Sequence, residues 1–118
     1  MKDAKPNQPE VKQDLTFRKY RLLPEILNVL ENQLQITTPS PIQQMTIPHL
    51  MQSKSCILAA QTGTGKTLGY TIPIIHQLKM QEMAAQTRLT IPNKPRSLIL
   101  VPNRELAMQV HHAALKPF

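Results

Sequence analysis

The sequence predicts an α/β fold, a parallel sheet flanked by helices, on the strength of three observations. Two short apolar runs, "SCILAA" (55–60) and "SLILV" (97–101), have the composition of strands buried on both faces of a sheet. Between them Leu68, Ile72, Ile75 and Leu78 recur at three- to four-residue spacing, the period of a helix with one apolar face. The glycines of the chain, Gly63, Gly65 and Gly69, all fall at the passage from the first run into that helix. A strand, a crossover helix and a second strand in this order make a right-handed unit with parallel strands.

Taken in order, residues 1–14, "MKDAKPNQPEVKQD", mix both charges with two prolines and no apolar stretch, which predicts a disordered tail and fits neither a secretory leader nor an acid-poor transit peptide. Residues 15–118 then form the domain. Pro24 opens a helix over 24–34, where its missing N–H costs nothing, and Leu22, Ile26, Leu27, Leu30 and Leu34 form its apolar stripe. "TTPSPIQQ" breaks it, and Ser40 before Pro41 caps a second helix running to about Met51, with a kink expected at Pro48. The strand 55–60 and the glycine turn lead into a helix from Lys66 to about Met80, with a bend expected at Pro73. "EMAAQTRLTIPNKPR" (82–96) reads as a polar, exposed connection. The strand 97–101 stops at Pro102, and a helix over 103–115 starts with Asn103 as its cap. A sheet of two parallel strands leaves both edges open. The expectation is therefore the first part of a larger domain, loosely packed or aggregation-prone in isolation.

A chain of 118 residues allows one small domain. Hydrophobic content of 41%, with no apolar run of the ~18 residues a span requires, predicts no membrane helix. Fourteen Lys and Arg against seven Asp and Glu, a net charge of +7, suit a polyanion such as nucleic acid or nucleotide. The same balance is compatible with a scattered, solvated basic surface, since the like charges form no block. The single Cys56 has no internal disulfide partner and lies in an apolar run, so it reads as a small buried residue in a reducing compartment, cytoplasm or nucleus, with the mitochondrial matrix also compatible. His49, His76, His111 and His112 lack metal-ligand company and read as surface or boundary residues. Met45, Met51, Met80, Met83 and Met108 read as core filler.

The glycine cluster carries the chemistry. In "AAQTGTGKT" (59–67) a strand turns through Gly63 and Gly65 and opens a helix at Lys66 and Thr67. Glycine lets the main chain approach a ligand closely, so the backbone N–H groups of Gln61, Thr62, Gly63, Thr64 and Gly65 can curl around phosphates. The helix N-terminus adds partial positive charge, Lys66 reaches the β and γ phosphates, and the Thr67 hydroxyl is placed to hold Mg²⁺. The ligand class is a nucleoside triphosphate with Mg²⁺.

With those residues in place, the chain resembles the DEAD-box RNA helicases from about Phe17 onward. "PSPIQ" (39–43) looks like the family's Q motif, "AQTGTGKT" (60–67) like its motif I and "PNRELA" (102–107) like its motif Ia, while "TIP" (46–48) and "TLGYTIPII" (67–75) look like framework segments. The resemblance implies a RecA-like P-loop domain whose nucleotide is ATP and in which Gln43 pairs with the adenine edge, as an amide that both donates and accepts can. It also implies that Phe17 stacks on the same base, where the alternative is a core plug. Pro102, Asn103, Arg104 and Glu105 would touch the RNA sugar-phosphate backbone, Arg104 nearest a phosphate; without RNA, Arg104 and Glu105 would simply dress a helix N-terminus.

Some positions depart from the family pattern. Gln35 and Ile36 stand for a glycine and an aromatic, Ser40 for Thr, Ser53 for Gly, Ser55 for Asp and Asn103 for Thr. Ser40 and Asn103 keep the capping chemistry, whereas Gln35 and Ser53 replace residues that take positive φ freely. Neither an Asp-Glu-Ala-Asp nor a Ser-Ala-Thr motif occurs in the sequence, nor a second RecA-like domain. These residues alone are thus expected to be catalytically inactive, either as the ATP-binding portion of an RNA helicase or as a naturally truncated nucleotide-binding or interaction module. Another P-loop ATPase, such as a DNA translocase, would leave "PSPIQ" and "PNRELA" unexplained.

Overall fold

In the computed structural model, which describes residues 13–118, four helices and their short extensions carry the ordered backbone. All of the predicted tail except residues 13 and 14 lies outside the described residues. A 3₁₀ turn, Phe17–Tyr20, starts under the Thr16 hydroxyl, which accepts the Arg18 N–H. Helix α1, Pro24–Asn28, has its proline in the first turn and widens into a π-helical turn, Val29–Gln33. Helix α2 spans Pro41–Met51, α3 spans Lys66–Ala85, and α4, Arg104–Val110, widens into a second π-helical turn, His111–Leu115.

The core forms where these helices meet. Phe17, Leu22, Ile26 and Leu30 from the first segment close on Ile47 of α2 and Ile72 of α3. The stripe read from the sequence is thus the buried one, with Leu27 and Leu34 at its margin. Packing is most extensive between α2 and α3. Gly69 faces α2 across this contact: a Cβ there would lie 3.7 Å from Gln43 Cγ and 3.8 Å from Thr46 Cβ, within ordinary van der Waals distance.

The two predicted strands are not formed among the described residues. Residues 55–60 and 97–101 have no ladder hydrogen bonds, and the one β-bridge is the antiparallel pair Ile91 and Lys94 at a tight turn. Instead of lying between two helical layers, Ile57 is 97% exposed, Leu98 73% and Leu100 84%. The physical reason is that parallel pairing requires covering on both faces and partners at both edges, neither of which these two segments supply for each other. Cys56, expected to be buried in the first strand, is exposed for the same reason.

Other expectations are corrected at the helices. Helix α3 continues past Met80 to Ala85, so the first four residues of the predicted connection, 82–85, are helical. Met51 packs against the core, but Met45, Met80, Met83 and Met108 are exposed, on faces of α2, α3 and α4 that meet no second apolar layer. His76 is buried rather than at the boundary, its Nδ1 accepting the Leu23 N–H at 3.3 Å.

Gln35 and Ser53, the two residues standing for glycine, take φ of 55° and 58°. At Ser53 the left-handed residue closes a Schellman-type end on α2, with Ser53 N–H on the Leu50 carbonyl at 2.9 Å and Lys54 N–H on that of His49 at 3.1 Å. At Gln35 it returns the Ile36 N–H to the Leu30 carbonyl at 2.8 Å. An L side chain costs roughly 1–2 kcal/mol in this conformation. Gln35→Gly and Ser53→Gly should therefore each raise stability by about 0.5–1 kcal/mol, net of the added chain entropy, as read by the urea midpoint.

Burial also sets a pH dependence. It holds the His76 imidazole below its ordinary pKa of 6.5, and protonation at Nδ1 would remove the acceptor for Leu23 N–H. The folded state therefore binds fewer protons than the unfolded one, so the His76 contribution is complete above the unfolded pKa and is lost as pH falls below it. Thermal midpoints measured from pH 8 down to 5 should fall below about pH 6.5. His76→Gln, which keeps an acceptor but does not titrate, should flatten that part of the curve.

Candidate functional site

The start of α2 and the turn before α3 are joined by one set of side chains. Ser40 and Gln43 form a capping box on α2: the Ser40 hydroxyl accepts the Gln43 N–H, and Gln43 Oε1 accepts the Ser40 N–H at 2.9 Å. The same two side chains reach the glycine turn. Ser40 Oγ donates to the Thr64 carbonyl at 2.7 Å, and Gln43 Nε2 donates to the Gly65 carbonyl at 3.1 Å. Gln43 is 3% exposed, so this amide is enclosed.

Two further bonds close the turn from within. Thr64 Oγ1 donates to the Gln61 carbonyl at 2.7 Å, and Lys66 Nζ donates to the Ala60 carbonyl. The carbonyls of Ala60, Gln61, Thr64 and Gly65 therefore all have donors. Among the described residues the backbone N–H groups of 62–68 have no acceptor, and the first bond of α3 runs from Gly69 N–H to Gly65 C=O at 3.1 Å. A loop whose carbonyls are engaged and whose N–H groups are not, at the N-terminus of a twenty-residue helix, has the chemistry of an anion cradle.

The glycines are required here for different reasons. Gly63 and Gly65 have φ of 78° and 87°. A Cβ at Gly63 would meet nothing within 4 Å, so only its backbone conformation demands glycine. At Gly65 a Cβ would lie 2.5 Å from Gln43 Nε2 and 3.1 Å from Ser40 Oγ, so it would also break the bonds between α2 and the turn.

Other residues singled out in the sequence lie in various settings. Gln61, Thr62 and Gly63 are exposed, while Thr64, Gly65, Lys66 and Thr67 are half-buried. Thr67 sits in the first turn of α3, where its carbonyl accepts the Thr71 hydroxyl at 2.7 Å. Phe17 is 1% exposed, inside the core and edge-on to Tyr20 at 6.4 Å between centroids. Pro102, Asn103, Arg104 and Glu105 are exposed, and Asn103 Oδ1 caps α4 by accepting the Leu106 N–H at 2.9 Å. Among the described residues no hydrogen bond or ion pair joins 102–105 to 60–67.

The sequence reading missed the double use of Ser40 and Gln43. Its signal was present, because Ser followed three residues later by Gln is a capping-box spacing, but a box says nothing about a third partner 22–24 residues away. A groove of about 400 Å³ lies beside the turn, lined by Pro41, Ile42, Met45, Ala60, Gly63 and Thr64.

Comparison with known proteins supplies the family. Residues 40–118 match the family model described as DEAD/DEAH box helicase. The chain belongs to this family. The DEAD/DEAH match begins at Ser40, so it takes in the whole capping box, the glycine turn and the start of α4. Membership implies a RecA-like α/β domain. Similar DEAD-box proteins include DEAD-box ATP-dependent RNA helicase 39 of Arabidopsis thaliana, 40% identical over 83% of this chain and 16% of that protein. ATP-dependent RNA helicase RhlB of Xanthomonas campestris is 39% identical over 87% of this chain and 17% of its own length. The Pre-mRNA-splicing ATP-dependent RNA helicase PRP28 of Kluyveromyces lactis is 36% identical, over 81% and 18% respectively. The chain thus spans 16–18% of the length of these relatives.

The three glycines should respond differently to alanine. Gly69→Ala places a methyl in ordinary contact and adds helix propensity, so it should raise stability by about 1 kcal/mol. Gly63→Ala should cost about 1–2 kcal/mol through strain alone. Gly65→Ala should cost the most, and it alone should release the Gln43 side-chain amide, visible as a shift of its NH₂ resonances. Equal losses at all three positions would contradict this geometry.

Proposed function

We propose that these residues are the ATP-binding portion of an RNA helicase, in which the glycine turn cradles the phosphates of Mg²⁺-ATP. The observation that carries this is the pairing of the turn's carbonyls with Lys66, Thr64, Ser40 and Gln43 while its N–H groups are left for an anion. On this reading Lys66 exchanges the Ala60 carbonyl for a phosphate oxygen, so that its ammonium bonds a full negative charge in place of a neutral acceptor. Thr67, in the first turn of α3, supplies a hydroxyl for Mg²⁺.

Gln43 reads the base in this proposal. Its amide has used one N–H and one lone pair on Gly65 and Ser40, which leaves one donor and one acceptor, the pair an adenine edge matches. Phe17 keeps two roles open, as an aromatic for the base and as the core residue described above, and the first requires its ring to be uncovered. Pro102, Asn103, Arg104 and Glu105 contact the RNA backbone, consistent with their exposure at the start of α4. The complete protein would couple ATP hydrolysis to opening or remodelling of RNA duplexes. The exposed apolar segments 55–60 and 97–101 would be parallel strands of the RecA-like sheet.

Hydrolysis demands more than the cradle, because Mg²⁺ must also be held by an acidic group and the attacking water oriented. The described carboxylates are engaged elsewhere: Asp14 with Thr16, Glu25 with Lys79, Glu31 with Arg18 and Glu82 with Arg96, while Glu105 lies in the first turn of α4. These 118 residues by themselves should therefore bind nucleotide without hydrolysing it. In the complete protein Lys66→Ala should weaken ATP binding at least about tenfold by titration calorimetry, the loss expected for charge-assisted hydrogen bonds. Unchanged affinity would overturn the cradle assignment.

A further inference from the structure

Helix α2 delivers Ser40 and Gln43 to the glycine turn, so its position along α3 sets how those two side chains meet the turn's carbonyls. Its contact with α3 is otherwise apolar and close, Ile47 near Ile72 in the core and Thr46 against Gly69. Among the described residues one side chain of α3 hydrogen-bonds to the α2 segment. Gln77 Nε2 donates to the Leu50 carbonyl at 2.7 Å and lies 3.4 Å from Ser53 Oγ. Leu50 C=O is the acceptor that also receives Ser53 N–H in the Schellman-type end, so Gln77 holds the last turn of α2 at its backbone.

The two attachments lie at opposite ends of α2. Gln43 is tied to Gly65, immediately before α3, and Leu50 to Gln77, about 18 Å along α3 from Gly65 at 1.5 Å per residue. Apolar contact between helices is non-directional and resists sliding weakly, whereas two polar attachments at separate points fix both axial position and tilt. With the far attachment removed, α2 could slide and tilt on α3 with only the bonds at its N-terminal end to resist. The amide would then change its distance to Gly65.

We infer that Gln77 is a positioning residue for the nucleotide site, fixing the register of α2 on α3 and through it the placement of Ser40 and Gln43 on the glycine turn. The inference rests on the ATP-binding reading only for its effect on nucleotide selection; the effect on the turn itself does not need it.

The test compares Gln77→Glu, which keeps the shape but replaces the donor with an acceptor, with Gln77→Lys, which restores a donor, in the complete protein well below the melting temperature of each variant. Without nucleotide, amide hydrogen exchange at residues 40–46 and at Gly69 should quicken about fivefold in Gln77→Glu and return toward the parent rate in Gln77→Lys. With fluorescent ATP and GTP analogues, the ratio of the two dissociation constants should move several-fold toward unity in Gln77→Glu only. A merely structural Gln77 would lower the melting temperature while leaving exchange at 40–46 and the nucleotide ratio at parent values, and that result overturns the inference. A parent protein with no ATP preference would instead count against the base-reading role of Gln43, with the exchange rates still deciding the role of Gln77.

Discussion

The hydrogen bonds that Ser40 and Gln43 make to the Thr64 and Gly65 carbonyls hold the rest of the site in place. Each side chain serves two helices at once. The Ser40 hydroxyl caps α2 by accepting a backbone N–H and at the same time donates into the turn before α3, and Gln43 does the same with its two amide atoms. A typical hydrogen bond is worth only ~1 kcal/mol net, but leaving a buried partner unsatisfied costs ~1–3 kcal/mol. Removing Gln43 would strand the Ser40 N–H in a part-buried setting and leave the Gly65 carbonyl with the Gly69 N–H alone. The pair therefore stabilises the turn's conformation more than a single bond energy suggests.

That conformation explains why a glycine-poor chain concentrates glycine here. Gly65 must be glycine because φ is positive and because the Gln43 amide occupies the space a Cβ would take. Gly63 needs only the positive φ, and Gly69 needs neither, since α2 lies against it at distances a methyl could share. By contrast, Gln35 and Ser53 show that the chain tolerates left-handed turns without glycine where nothing crowds the side chain. Crowding by the partner, as well as backbone strain, separates the positions where glycine is indispensable.

Helices and caps were legible in the sequence because their determinants are local. The stripe through Leu22, Ile26 and Leu30, the first-turn prolines and the caps at Ser40 and Asn103 all act within one or two turns of themselves. Strands were not legible in the same way. "SCILAA" and "SLILV" have the composition of buried strands, but composition states a preference for burial and does not provide the covering layer. The same gap explains Cys56 and the exposed methionines. His76 and Gln77 failed to stand out for another reason: their partners, Leu23 and Leu50, are 53 and 27 residues distant, and no periodicity signals a side chain's bond to a remote main-chain atom. At the site, the turn was legible through its motif, whereas the enclosure of Gln43 and Phe17 depends on packing that a motif does not encode.

The unpaired segments are nevertheless not placed at random relative to α3. Residues 55–60 lead through the turn into its first residue, and the segment 97–101 follows directly on Arg96, whose guanidinium is held at the far end of the same helix. Arg96 Nη1 bonds Glu82 Oε1 at 2.9 Å, and its Nη2 bonds Gln81 Oε1 at 2.8 Å and the Leu78 carbonyl at 3.1 Å. The Coulomb energy of such a half-exposed pair is small. Its value lies in the planar fork, which engages three acceptors on one turn and so fixes where the connection 86–96 ends. A parallel crossover requires this arrangement: the first strand must finish where the helix begins, and the second must start beside the helix's end. The helix and its two ends thus place the close of segment 55–60 at the N-terminus of α3 and the start of segment 97–101 beside its C-terminal turns, which is the order a parallel crossover uses.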